Sequence, residues 1–91
     1  MRWFDSYIDE LKEKLGITSD YGVAKYLNIA PQNITKVRNG EILRADRCLK
    51  IANALNRDPL EIIATARAQK EKNPELKAIW IKLAKERGNN E

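Results

Sequence analysis

Histidine is absent from this 91-residue chain, and cysteine occurs once, at Cys48. Without histidine and a second cysteine, the sequence lacks the ligands of a zinc site of the usual kind. It also lacks the Ser-His and Cys-His pairs that activate nucleophiles in many enzymes. A single cysteine cannot form an intrachain disulfide, which is typical of a protein in a reducing compartment. These absences make an enzyme the least favoured class and predict no metal or cofactor.

Long apolar segments are also missing. No stretch approaches the length of a membrane span, and Met1-Arg2-Trp3-Phe4-Asp5 contains no apolar run of the length that a signal peptide needs. We therefore expect a cytoplasmic protein that makes no membrane contact. Only three prolines and four glycines interrupt a chain rich in Ala, Leu, Ile, Lys and Glu, and this composition favours helices.

Positive charge is unevenly distributed along the chain, whose net charge is +4. Residues 1–30 contain four basic and five acidic side chains, whereas residues 31–50 contain five basic and two acidic ones. Residues 51–91 contain eight basic and six acidic ones. A local basic excess suits a polyanion such as nucleic acid. A solvated, lysine-rich surface would also explain the charge, so charge alone does not decide the function.

Helix start and stop signals divide the chain into about six short helices and predict an all-α fold. Apolar residues at three- and four-residue spacing predict the first helix at about residues 5–15, and Gly16 suits its left-handed cap. The second helix starts at Ser19-Asp20, where either residue is a favoured N-cap. The third spans residues 31–38, because a proline suits its first turn and Asn39-Gly40 suits its end.

Three further helices are predicted after this segment. The fourth spans about Asp46 to Leu55. Asp58-Pro59 and Asn73-Pro74 each combine an N-cap with a first-turn proline, so they begin the fifth and sixth helices. The sixth runs to about Arg87, and we expect residues 89–91 to fray.

Several side chains are predicted to build the core. Cys48 and Leu49 belong to the apolar side of the fourth helix, and we interpret Cys48 as a small buried hydrophobe rather than a reactive thiol. Trp3, Phe4 and Tyr7 are predicted to form the core or a cover over it.

The segment from Asp20 to Asn39 has the pattern of two short helices that meet at a sharp angle. Ala24 is small where the two helices approach closely, and Asn28 tolerates a left-handed backbone at the bend. Ile34 and Val37 are spaced to point inward from the second helix. The outward residues of that helix are all polar or basic: Gln32, Asn33, Thr35, Lys36 and Arg38.

This pattern closely resembles the helix-turn-helix of the phage Cro and repressor type, the XRE family. The resemblance covers about residues 6–65 and is carried by Val23, Ala24, Leu27, Ile29, Ile34, Val37 and Asn39-Gly40. It implies a lambda-repressor-like fold in which residues 31–38 lie in the major groove of duplex DNA. Two departures are present: Asn28 replaces the usual glycine of the turn, and Ala30-Pro31 replaces the usual serine or threonine cap. Neither departure breaks the geometry.

The resemblance also implies two sets of DNA contacts. The base-reading set is Pro31, Gln32, Asn33, Thr35 and Lys36; its amides suit adenine, and its lysine suits guanine O6 or N7. The phosphate-contacting set is Tyr21, Lys25, Arg38, Asn39 and Arg44. Simple solvent exposure is the alternative for Gln32, Asn33 and Lys36, and also for the basic residues of the phosphate-contacting set. Packing in the core is the alternative for Tyr21.

The C-terminal third extends beyond the resemblance. We divide the chain into a helix-turn-helix domain, residues 1–72, and a C-terminal helix, residues 73–91, within one compact unit. An apolar stripe on that helix consists of Leu76, Ile79, Trp80 and Leu83. The stripe either closes the core or forms a homodimer interface, and we favour the interface because tryptophan is a frequent anchor there.

The sequence therefore predicts a phage or prophage regulator, most simply a repressor that binds a palindromic operator as a homodimer. No small-molecule ligand is evident. One alternative is the DNA-binding antitoxin of a toxin-antitoxin pair, in which the helical tail would hold the toxin. Another is a protein-interaction module built on a degenerate helix-turn-helix, which the polar Gln32, Asn33 and Lys36 disfavour.

Overall fold

The structure, a computed structural model, describes residues 2–88, and these residues form six α-helices and no β-strand. The helices are α1 (Ser6–Leu15), α2 (Asp20–Leu27), α3 (Pro31–Arg38), α4 (Ala45–Leu55), α5 (Pro59–Lys70) and α6 (Pro74–Gly88). The all-α prediction is confirmed, and each predicted helix start agrees with the structure to within one residue. The predicted fraying of residues 89–91 lies outside the described residues.

Local signals explain where the helices begin and end. The Ser19 hydroxyl accepts a hydrogen bond from the Gly22 N–H at 3.0 Å and caps α2. Asn28 ends α2 in the left-handed region, with φ 57° and ψ 48°, and Asn56 ends α4 in the same way. Asparagine and glycine adopt this conformation at lower cost than other residues do. The predicted left-handed turn at Asn28 is confirmed.

The core lies where α1 to α5 meet. The fully or almost fully buried side chains include Phe4, Tyr7, Ile8, Leu11, Val23, Ala24, Leu27, Ile34, Val37, Cys48, Ile51 and Ile62. Ala24, at 1% exposure, is buried on α2, the helix that packs against both α1 and α3. Cys48 is also buried, and its burial raises the pKa of the thiol to about 11. The interpretation of Cys48 as a packing residue is therefore supported by its burial.

Three side chains for which a place in the core was predicted or considered are exposed instead. Trp3 is 64% exposed, although its neighbour Phe4 is buried. Leu49 is 46% exposed, because a helix turns about 100° per residue and α4 already directs Cys48 and Ile51 into the core. Tyr21 is 66% exposed, because α2 directs Val23, Ala24 and Leu27 into the core instead, so the alternative that Tyr21 packs in the core is wrong.

The last two helices form an antiparallel pair at one side of the molecule. Ala64 and Ala68 of α5 and Ala84 of α6 are buried, and these small side chains let the helices approach closely. Arg87 at the end of α6 lies 3.6 Å from Asp58 at the start of α5. α6 contributes no residue to the main core cluster. Within residues 2–88, no helix is long and apolar enough to cross a membrane.

Candidate nucleic-acid interface

α3 is fixed in place by its apolar side. Ile34 and Val37 are each 1% exposed and belong to the core, and α3 packs against α2 across the turn at Asn28. The Ile29 N–H donates to the Ala24 carbonyl at 3.0 Å, which closes this turn. Because the two anchors share one side of α3, the side chains on the opposite side of the helix project from the protein.

The five predicted base-reading residues lie together on this projecting side. Four are exposed and Asn33 is half-buried; the five are Pro31, Gln32, Asn33, Thr35 and Lys36. Among residues 2–88, no hydrogen bond or ion pair engages the side chains of Gln32, Asn33 or Lys36. Two amides and one ammonium group are therefore directed at solvent without an internal partner, which is how side chains that read base edges must be presented.

The N-terminal end of α3 is electrostatically open. Its N-cap, Ala30, has an extended backbone and makes no side-chain cap hydrogen bond, and the first turn contains no acidic residue. The positive end of the helix dipole is therefore not neutralised locally. This end is compatible with the approach of a polyanion.

The predicted phosphate-contacting residues fall into two groups. Tyr21, Lys25 and Arg44 are exposed around α3. Asn39 and Arg38 instead make contacts within the protein. The Asn39 amide donates to the Thr35 carbonyl at 2.9 Å and so helps to close the end of α3.

Arg38 is enclosed by carboxylates. Its guanidinium lies 2.9 Å (Nη2) and 3.0 Å (Nε) from the two carboxylate oxygens of Asp20, and 2.7 Å (Nη2) and 3.2 Å (Nη1) from those of Asp9. These hydrogen bonds raise the pKa of Arg38 and hold the pKa of Asp20 at about 2, well below its usual value. The Arg38 hydrogen bond also lowers the pKa of Asp9. Arg38 thus joins the last turn of α3 to α1 and α2.

A cleft of about 590 Å³ lies beside α3, between that helix and the start of α4. Lys36, Arg44 and Arg47 line it together with Glu41 and Asp46. Lys70 pairs with Glu41 at 3.0 Å, and this hydrogen bond lowers the Glu41 pKa. The cleft therefore has basic walls, and its acidic residues are partly paired.

Arg47 is a candidate phosphate contact that was not predicted from the sequence. It lies one helical turn after Arg44, and its Nη1 pairs with Asp46 at 2.7 Å. Its Nε is buried and has no hydrogen-bond partner among residues 2–88. The three-residue spacing from Arg44 was the available signal, since residues i and i+3 share one face of a helix.

Two short helices joined by a tight turn, with an unengaged polar and basic face on the second, define a DNA-binding domain of the helix-turn-helix class. Residues 8–62 match the helix-turn-helix family, which is more than half of the chain. The chain therefore belongs to this family, the XRE-type DNA-binding transcription regulators. No curated protein and no solved structure matched the chain. The family match ends within α5, so α6 lies outside it.

Proposed function

We propose that this regulator is a repressor that binds a palindromic operator as a homodimer, with α3 of each copy in the major groove. The observation that carries this proposal is the unengaged set of Gln32, Asn33 and Lys36 on a helix whose other side is fixed in the core. Paired donors and acceptors suit base edges, and the basic cleft beside them suits the sugar-phosphate strand. Repression then follows from occupancy of the operator.

The homodimer part of the proposal depends on α6. Leu76 is 46% exposed and Ile79 is 59% exposed, and on the same flank Trp80 and Leu83 are half-buried. A single α3 contacts too few base pairs to distinguish one site in a genome. Two copies related by a two-fold axis, with reading helices about 34 Å apart, double the contacts. We therefore propose that residues 1–72 form the reading unit and that the exposed flank of α6 forms the dimer contact.

Selection of bound duplexes from a random pool, at stated salt, tests DNA reading and symmetry together. We expect enrichment of a short palindrome whose half-sites are about one helical turn apart. Enrichment of a single asymmetric half-site would contradict the homodimer, and the absence of any enrichment would contradict sequence-specific reading. The absence of enrichment would favour a protein-interaction module.

Substitution on α6 tests the dimer contact directly. Ile79→Glu places a charge in the proposed contact, so we expect a monomer in sedimentation with an unchanged helical circular dichroism spectrum. Ala78→Glu is the matched control, because Ala78 is exposed on the same helix, outside the apolar flank, and the charge change is identical. An Ile79→Glu protein that remains a dimer would place the interface elsewhere.

A further inference from the structure

We propose that Arg38 is a positioning residue: it fixes the orientation of α3 for base reading and makes no contact with the DNA backbone. This inference rests on the proposed function, because it concerns the same reading helix. It reverses the sequence-based assignment of Arg38 to the phosphate-contacting set. Three features of the structure carry it, namely the geometry of the guanidinium, the charge around it and its place on α3.

Both hydrogen-bonding edges of the Arg38 guanidinium are occupied by carboxylates. Nε and Nη2 meet the two oxygens of Asp20, and Nη1 and Nη2 meet the two oxygens of Asp9. Nη1 also lies 3.4 Å from the Asp5 backbone carbonyl. Bidentate arginine–carboxylate pairs are strong and directional. A guanidinium with these two bidentate partners has no edge left with which to make a third bidentate contact.

The charge around Arg38 is already more than neutralised. Asp5, Asp9 and Asp20 all lie within 3.7 Å of its guanidinium, and Lys12 pairs with Asp20 at 3.1 Å. Three carboxylates against two cations leave this cluster with a formal charge of −1. Such a cluster repels a phosphate rather than attracting one. The exposed Arg44 has no such carboxylate cage among residues 2–88.

The place of Arg38 on α3 explains what the cluster does. Ile34 and Val37 hold the apolar side of the helix in the core, and this packing is nondirectional. Arg38 adds directional bonds from the last turn to two other helices at once. These bonds set the rotation of α3 about its own axis. That rotation decides which edges Gln32 and Lys36, on the opposite side, present to the groove.

The test compares duplex binding by Arg38→Ala, Arg38→Lys and Asp20→Asn with binding by Arg44→Ala as the phosphate-contact control. Each protein is titrated with the duplex selected from the random pool and with a random-sequence duplex of equal length. Titrations at several salt concentrations between about 50 and 200 mM give the slope of log affinity against log salt. Circular dichroism melting establishes that each variant is folded at the temperature used.

For Arg38→Ala we expect an unchanged salt slope and a loss of about ten- to hundredfold on the selected duplex, with much less loss on the random one. Arg44→Ala should instead reduce the slope by about 0.9 and weaken both duplexes alike. Arg38→Lys keeps the charge but loses the fork, so we expect it to lose preference for the selected duplex. A phosphate contact would survive this change, because lysine also binds phosphate well.

Asp20→Asn distinguishes a positioning role of Arg38 from a phosphate-contacting role without changing Arg38 itself. We expect it to lower the preference for the selected duplex, because it removes one side of the fork. If Arg38 contacts phosphate, the loss of this carboxylate would free the guanidinium for that contact and steepen the salt slope by about 0.9. The slope is the readout because the substitution removes a negative charge and so reduces the repulsion of phosphate in either case. A steeper slope for Asp20→Asn, or a reduced slope for Arg38→Ala, would overturn the proposal.

One further measurement distinguishes this inference from the proposed function. Hydrogen exchange of the α3 amides needs no DNA, and we expect faster exchange in Arg38→Ala than in the wild type or in Arg44→Ala. A wild-type chain that selects no duplex would overturn the proposed function and the reading role of Arg38 with it. Unchanged exchange in α3 would overturn the positioning role by itself.

Discussion

α3 and α6 are both amphipathic surface helices, yet they divide their apolar and polar side chains in opposite ways. α3 buries its two large aliphatic residues, Ile34 and Val37, and directs polar and basic groups outward. α6 buries only Ala84 and leaves Leu76 and Ile79 exposed. The comparison indicates that the outward side of α3 is suited to a polar, charged ligand, whereas the outward flank of α6 is suited to an apolar one.

The two helices also differ in how they are attached. α3 is held by the core and by the Arg38 fork, which reaches α1 and α2. α6 packs on α5 alone among the helices of residues 2–88, through small alanine side chains. A change on the buried side of α3 should therefore affect folding and DNA binding together. A change on the exposed flank of α6 should affect assembly with little effect on the fold.

The largest expected effect is a difference in the free energy of unfolding when an isoleucine is replaced by alanine in α3 or in α6. Ile34→Ala opens a cavity in the core and should lower the free energy of unfolding by about 2–5 kcal/mol. Ile79→Ala removes an exposed side chain and should change it by no more than about 0.5 kcal/mol. Urea denaturation, at a concentration at which the wild type is monomeric, measures both. Equal losses would show that α6 is part of the core.

The next largest effect concerns duplex binding, and it compares the outward side of α3 with the exposed flank of α6. Gln32→Ala should weaken binding to the selected duplex by about 1–3 kcal/mol and binding to a random duplex much less, because it removes the proposed base contact. Fluorescence anisotropy titrations measure this preference. Ile79→Glu should instead weaken binding only at concentrations at which the wild type is dimeric. If Gln32→Ala leaves site preference unchanged, α3 does not read bases through this residue.

A smaller effect compares two turns with the same conformation. Asn28 precedes α3 and Asn56 precedes α5, and both have φ 57°. Alanine at either position should cost about 1 kcal/mol in thermal unfolding, whereas glycine should be tolerated or slightly stabilising. Only Asn28→Ala should also weaken duplex binding, since only that turn sets the α2–α3 angle. A marked loss of Tm for Asn28→Gly would argue against the observed turn.

The smallest effect concerns acid stability. The Arg38 hydrogen bonds depress the Asp20 pKa from 3.8 to about 2, so Asp20 stabilises the fold above its unfolded-state pKa. This contribution is lost as the pH falls from about 4 to about 2. It should be below about 1 kcal/mol, because the Asp20 side chain is 39% exposed. Asp20→Asn should flatten the dependence of unfolding on pH in this window.

Helix positions were predictable because their signals are local. The first-turn prolines Pro31, Pro59 and Pro74 restrict the backbone, whereas Gly16 and Asn28 permit the left-handed conformation that ends a helix. Neither effect needs help from distant residues. The outward set on α3 was predictable for a related reason. Two buried aliphatic residues three positions apart fix which side of a short helix faces solvent.

The contacts of the site were less predictable because they depend on packing. Arg38 lies 29 residues from Asp9 and 18 from Asp20 in the chain, and nothing in the spacing shows that the three meet. The basic excess of residues 31–50 included Arg38, although its charge is cancelled by aspartates from residues 1–30. Leu49 faced outward because Cys48 and Ile51 already filled the inner side of α4.

The absence of internal partners for Gln32, Asn33 and Lys36 among residues 2–88 also bears on how such a protein diversifies. No other part of the fold depends on these side chains, so their replacement carries little folding cost. Ile34, Val37 and Arg38 hold the helix in place and would be retained. We therefore expect that the outward residues of α3 can be substituted together, and that such substitutions change the preferred DNA sequence without changing the fold.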